Sequence, residues 1–115
     1  MEFSAINTMA GGNSMLCYEK KQGTLTVCLT GELDHSSADR VRRELDELIL
    51  DPKIKRLVFD MKDLCFMDSS GIGLMIGRYK QMNRRGGSVA VMSADARVDK
   101  IFEMAGLYQI IERMA

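Results

Sequence analysis

No uninterrupted apolar run among the 115 residues is longer than four, as at Leu64 to Met67. A membrane-spanning helix needs about 20 predominantly apolar residues, so no bilayer span is expected. Neither sign of charge is in excess: 16 basic and 16 acidic side chains cancel. A nucleic-acid binder would carry a basic surplus gathered on one face, so direct nucleic-acid contact is not expected either. Histidine is scarce, with His35 alone, and a zinc site is poorly supplied. Three cysteines, Cys17, Cys28 and Cys65, offer no close pair, which fits free thiols in a reducing cytoplasm rather than a disulfide framework. Met1 to Asn13 has an acidic Glu2 and no basic region leading into an apolar one, so it does not read as a secretory signal. Residues 1–13 are expected to be a flexible lead-in, followed by one domain over 14–115.

The apolar pattern divides that domain into short elements. Leu16 to Tyr18 and Thr24 to Thr30 read as a hairpin closed through Lys20 to Gly23, because Leu25, Val27 and Leu29 alternate with polar positions. Gly31 to His35 form a connection. Ser36 or Ser37 then opens a helix with Ala38, Val41, Leu45, Leu48 and Ile49 at helical spacing, ended before Pro52. Leu57 to Phe59 suits a short central strand, and Asp60 to Asp68 a loop. A second helix is expected from Ser69 or Ser70 to about Arg85, with Ile72, Met75, Ile76, Tyr79 and Met82 inward and Gly86 and Gly87 as its stop. Ser88 to Met92 reads as a strand, and Ser93, Ala94 and Asp95 open a third helix with Val98, Ile101, Phe102 and Ala105 at helical spacing. Gly106 stops it, and Leu107 to Ile111 is expected as a last strand. A hairpin followed by alternating helix and strand points to an α/β fold with a mixed sheet of four or five strands.

Chemistry concentrates between Phe66 and Gly77. Gly73 and Gly77 sit inside a helix, where each glycine costs about 1 kcal/mol relative to alanine. Either a neighbouring element packs closely there or a partner docks on that face. The glycines run one residue too long for a dinucleotide fingerprint, and no Gly-Lys-Ser/Thr ending makes a phosphate loop. No glycine stands two residues before Ser69, and only His35 could act as a base, so hydrolase readings are thin. No catalytic residue, metal site or cofactor is assigned. Asp34 and Asp68 come from separate loops and are weak metal candidates. Ser69 or Ser70 at the first helical turn is either a plain cap or a hydroxyl placed where unpaired N–H groups favour an anion. Phosphorylation there would add a charge of about −1.5 to −2.

Three blocks carry a family resemblance: Gly31-Glu32-Leu33-Asp34-His35, Asp63 to Gly73 with its Met67-Asp68-Ser69-Ser70-Gly71 centre, and Gly77-Arg78-Tyr79-Lys80-Gln81. With Phe102 to Leu107, they resemble the anti-sigma factor antagonists of the STAS-domain family, sporulation type. The likeness runs from about Met15 to Glu112. It implies helices mainly on one face of the sheet and a non-enzymatic cytoplasmic switch that binds an anti-sigma factor serine kinase and so frees a sigma factor. It also implies phosphorylation at Ser69, the serine directly after the motif's aspartate, reversed by a PP2C-type serine phosphatase. The docking surface it implies comprises Asp34, His35, Asp68, Ser70, Gly71 and Ile72. The family generally carries one more helix after the last strand, whereas this sequence ends at Ala115. A stress-response or other partner-switching module shares the motif, and a nucleotide-binding or enzymatic α/β domain is the alternative from another class.

Overall fold

The computed structural model describes residues 7–8 and 15–114, and the rest of the expected 1–13 lead-in lies outside the described residues. In chain order the elements are β1 (Asn7–Thr8), β2 (Leu16–Lys21), β3 (Thr24–Leu33), α1 (Ala38–Ile49), β4 (Arg56–Met67), α2 (Ser69–Arg84), β5 (Ser88–Met92), α3 (Ala96–Met104) and β6 (Glu112–Arg113). They form one mixed sheet in sequential order, antiparallel from β1 to β3 and parallel from β3 to β6. Its two outermost strands are two-residue edge pieces, which bring the expected four or five strands to six. Parallel neighbours joined in sequence by right-handed crossovers put every crossover helix on the same face. Helices mainly on one face are thus a consequence of strand order.

Local chemistry sets the turns. Gln22 and Gly23 both have positive φ, 51° and 80°, the two-residue hairpin turn whose twist matches that of its strands. The core lies between the helices and the inward positions of the central strands. Val41 and Leu45 of α1, Leu74, Met75 and Met82 of α2, and Val98 and Phe102 of α3 pack with Leu25, Val27, Leu57, Phe59, Val89 and Val91. The alternate strand positions Val58, Ala90 and Met92 form a second, smaller cluster with Met114 against it, as a period of two requires.

Several sequence expectations change. The loop expected from Asp60 to Asp68 is instead the second half of a 12-residue β4. Cys28 pairs with Asp60 but Thr30 with Asp63, and Gly31 pairs with Leu64 but Glu32 with Phe66, so β4 carries two extra residues. Such bulges make its buried residues recur every three positions, Met61, Leu64 and Met67, which masks the strand period. β3 correspondingly continues through Gly31 (φ 87°) to Leu33 rather than stopping at Thr30. Leu107–Gln109 is a 3₁₀ turn rather than a strand, because Leu107 and Ile111 both drop into the core while Gln109 and Ile110 are exposed. In α2 the buried stripe is Gly71, Leu74, Met75, Arg78 and Met82, leaving Ile72, Ile76 and Tyr79 at its edge, and Ala105 after α3 is exposed.

Candidate functional site

Leu33 and Met67 are register partners at the carboxyl ends of the parallel strands β3 and β4. The two segments that leave the sheet there, Asp34 to Ser37 and Asp68 to Gly71, therefore start side by side. Asp68, and neither Ser69 nor Ser70, caps α2: its Oδ1 accepts from the N–H of Ser70 at 2.8 Å and of Gly71 at 3.4 Å. Its Oδ2 accepts from the His35 N–H at 3.0 Å, and its own N–H donates to the Leu33 carbonyl at 3.2 Å. Asp34 folds its own loop. Its Oδ1 accepts from the N–H and hydroxyl of Ser36 at 3.0 and 2.7 Å and from the Ser37 N–H at 3.2 Å. The Ser36 hydroxyl above all holds the Asp34 carboxyl below the usual carboxylate range. Ser37 is the N-cap of α1, yet its hydroxyl donates to the Glu32 carbonyl at 2.8 Å and accepts from the Asp34 N–H at 3.0 Å instead of capping the helix. Asp68 spends both carboxylate oxygens, and Asp34 its Oδ1, on N–H and O–H donors that build the two loops.

Of the residues named from sequence, Asp34, His35, Asp68 and Ser70 meet at this junction, and Ser69 stands exposed on the first turn of α2. Gly71 lies beneath them, buried. A Cβ there would stand 2.8 Å from the Leu33 carbonyl and 2.9 Å from Met67 Cβ, so only glycine lets α2 start this close to β3. Ile72 is partly buried against the core. Gly73 and Gly77 behave otherwise: an added Cβ at either meets nothing within 4 Å. The close packing against a neighbouring element offered above as one account of them is therefore absent, and both Cβ positions are open.

Sequence reasoning passed over two features. Phe66, two residues before Asp68, is 44% exposed, and the spacing of three in β4 was the signal that could have turned it outward. A cleft of about 340 Å³ separates α1 from α2, lined by His35, Ala38, Asp39, Arg42, Ser70, Gly73, Leu74 and Arg78. No helix among the described residues is long and apolar enough to cross a membrane.

An α/β domain whose polar side chains converge where two parallel strands end defines a class that the comparisons make specific. The STAS domain model matches residues 16–115. An anti-sigma F factor antagonist of Paenibacillus polymyxa is 41% identical over 86% of this chain and 85% of its own length. An anti-sigma-B factor antagonist of Bacillus subtilis is 30% identical over 82% and 84%. The solved structure of the anti-sigma factor antagonist SpoIIAA in its unphosphorylated form superposes with a TM-score of 0.76 at 27% identity, over 87% of this chain and 88% of that one. The phosphorylated form of the Bacillus cell fate determinant SpoIIAA gives 0.68 at 26%, over 87% and 91%. This chain belongs to the STAS-domain family, among its anti-sigma factor antagonists.

Proposed function

We propose that this chain is a cytoplasmic regulatory binding protein without catalytic activity that sequesters an anti-sigma factor serine kinase, so releasing a sigma factor, and is switched off by phosphorylation at Ser69. A PP2C-type serine phosphatase restores the active form. The observation that carries the reading is Ser69, exposed on the first turn of α2 and next in the chain to the capping residue Asp68. The N–H groups of Ser70 and Gly71, which would otherwise receive an anion at a helix N-terminus, are already taken by Asp68. A phosphate on Ser69 then adds its charge of about −2 next to a carboxylate, and repulsion together with bulk ejects the partner without refolding the domain. Asp34, His35, Ser70 and the partly buried Ile72 complete the docking surface, and the buried Gly71 supports it by letting α2 start against β3. The existence of a phosphorylated form of SpoIIAA supports the same switch here.

Identity is higher to the Paenibacillus anti-sigma F factor antagonist than to the Bacillus anti-sigma-B antagonist, 41% against 30%, which favours the sporulation type over a stress-response module. The test is intact mass after incubation with ATP and the anti-sigma factor kinase of the same organism, with Ser69→Ala alongside. One added phosphate on the parent and none on the variant supports the reading. A parent that neither binds nor reacts with that kinase overturns it.

A further inference from the structure

The cleft between α1 and α2 contains two features that the chain's own folding leaves unexplained. Arg78 lines it, and its side chain is only 8% exposed. Its Nε and Nη1 are sealed from solvent and have no hydrogen-bond partner. Asp46 Oδ1, 3.5 Å from Nε, forms an ion pair with it, yet is itself buried and accepts no hydrogen bond. Buried donors left in this state are costly, and native structures rarely keep them without a use. The second feature is Gly73, an exposed glycine inside a helix, lining the same cleft with nothing within 4 Å of the position a Cβ would take. Glycine there gives up helix stability for no packing gain within the chain.

We propose that this cleft receives the anti-sigma factor itself: a segment of that partner packs its backbone over Gly73 and sets an acidic side chain against Arg78. The inference rests on the function proposed above and extends its docking surface, since His35 and Ser70 belong to that surface and also line the cleft. An acidic side chain is the occupant that the surrounding charges favour. Asp39 is already engaged by Arg42 at 2.5 Å and Arg43 at 3.3 Å, and Arg42 also reaches Asp46 at 3.6 Å. Of the two arginines that line the cleft, Arg42 is hydrogen-bonded to Asp39 while Arg78 leaves Nε and Nη1 without a hydrogen bond, and a carboxylate is the acceptor that matches its planar fork. Ala38, Gly73 and Leu74 supply a small apolar wall for the stem of that side chain. Burial lowers the affinity of the guanidinium for its proton, and an arriving carboxylate reverses that penalty.

The test is the affinity of the same organism's anti-sigma factor for the full chain and for Gly73→Ala and Arg78→Met, each with its thermal midpoint. Gly73→Ala is expected to raise the midpoint, as a helical glycine filled without a clash should, while weakening binding at least about tenfold. Arg78→Met is expected to weaken binding to a similar degree. Single alanine replacements of the partner's aspartates and glutamates are then run against the parent and Arg78→Met. One acidic residue whose loss weakens the parent but not Arg78→Met supports the proposal; the lack of any such residue overturns it. A parent that binds while both variants bind equally well sinks the cleft alone. A folded parent that does not bind the anti-sigma factor sinks the proposed function and the cleft with it.

Discussion

The carboxylate of Asp68 joins two segments 33 residues apart: Oδ2 accepts the His35 N–H at 3.0 Å while Oδ1 accepts the Ser70 N–H at 2.8 Å. One side chain thereby caps the helix that carries Ser69 and fixes the loop that carries Asp34. The two halves of the proposed docking surface cannot shift independently while Asp68 is in place, so a charge added at Ser69 acts on both.

Replacing Asp68 by alanine removes the cap of α2 and the acceptor of His35 together. Loss of a capping aspartate costs about 0.5–2 kcal/mol, so the urea midpoint should fall at unchanged slope. Amide exchange at His35 should accelerate, while Phe59 in the core keeps its protection relative to the new global stability. If His35 exchanges as slowly as before, the loop is held by Asp34 alone and the coupling between the two segments is absent.

Two glycines of one helix should respond to alanine with opposite signs. At Gly71 the new methyl meets the Leu33 carbonyl and Met67 at under 3 Å, and overpacking of this kind costs roughly 1–3 kcal/mol. At Gly73 it meets nothing, and the helix gains about 0.5–1 kcal/mol from the lost flexibility of the unfolded chain. Denaturant unfolding of both variants decides it; equal shifts would mean that α2 does not start against β3 as described.

Much of this arrangement was legible from the residues. Helical spacing in Ala38 to Ile49 identified every buried position of α1, and the Asp-Ser-Ser-Gly block marked the head of α2. The second half of β4 was not legible, because two bulges set its inward residues three apart and no alternation survives. The α1–α2 cleft was hidden for a different reason. Arg78 reads as a surface residue by type, and it is buried because it falls on the inward stripe of α2 with Leu74, Met75 and Met82, a rotation of the helix that tertiary packing decides.

Acid should loosen the Asp34 loop late. The Ser36 hydroxyl, then the backbone N–H groups of Ser36 and Ser37, lower the pKa of the Asp34 carboxyl in the folded chain. Its contribution is therefore complete above the ordinary aspartate value of about 3.9 and is lost as pH falls through the lowered folded value. A carboxyl carbon titration of Asp34 should give a midpoint below about 3.9, and Ser36→Ala should raise it. A midpoint at or above the ordinary value would remove the hydrogen-bond account.

Phe66, two residues before Asp68, is exposed and belongs to neither core cluster. Phe66→Ser should leave the thermal midpoint nearly unchanged yet weaken anti-sigma factor binding by about 1–2 kcal/mol, the range for an aromatic anchor of modest burial. Unchanged affinity would place the docking surface on the α1 side of Asp68 only.

The Ser69 pair separates charge from shape. Ser69→Ala keeps Asp68 as the cap, since the capping oxygens belong to Asp68 and not to Ser69, so α2 should begin where it does now and binding should persist without modification. Ser69→Asp places a second carboxylate next in the chain to the first, with the Ser70 and Gly71 N–H groups already engaged by Asp68. Unable to relieve the repulsion locally, it should weaken binding by at least about tenfold at low salt, and by less as salt screens the pair. The difference between low and high ionic strength is the informative readout, because steric bulk has no salt dependence. Equal affinity of the two variants at every salt concentration would show that added charge at Ser69 is not what releases the partner.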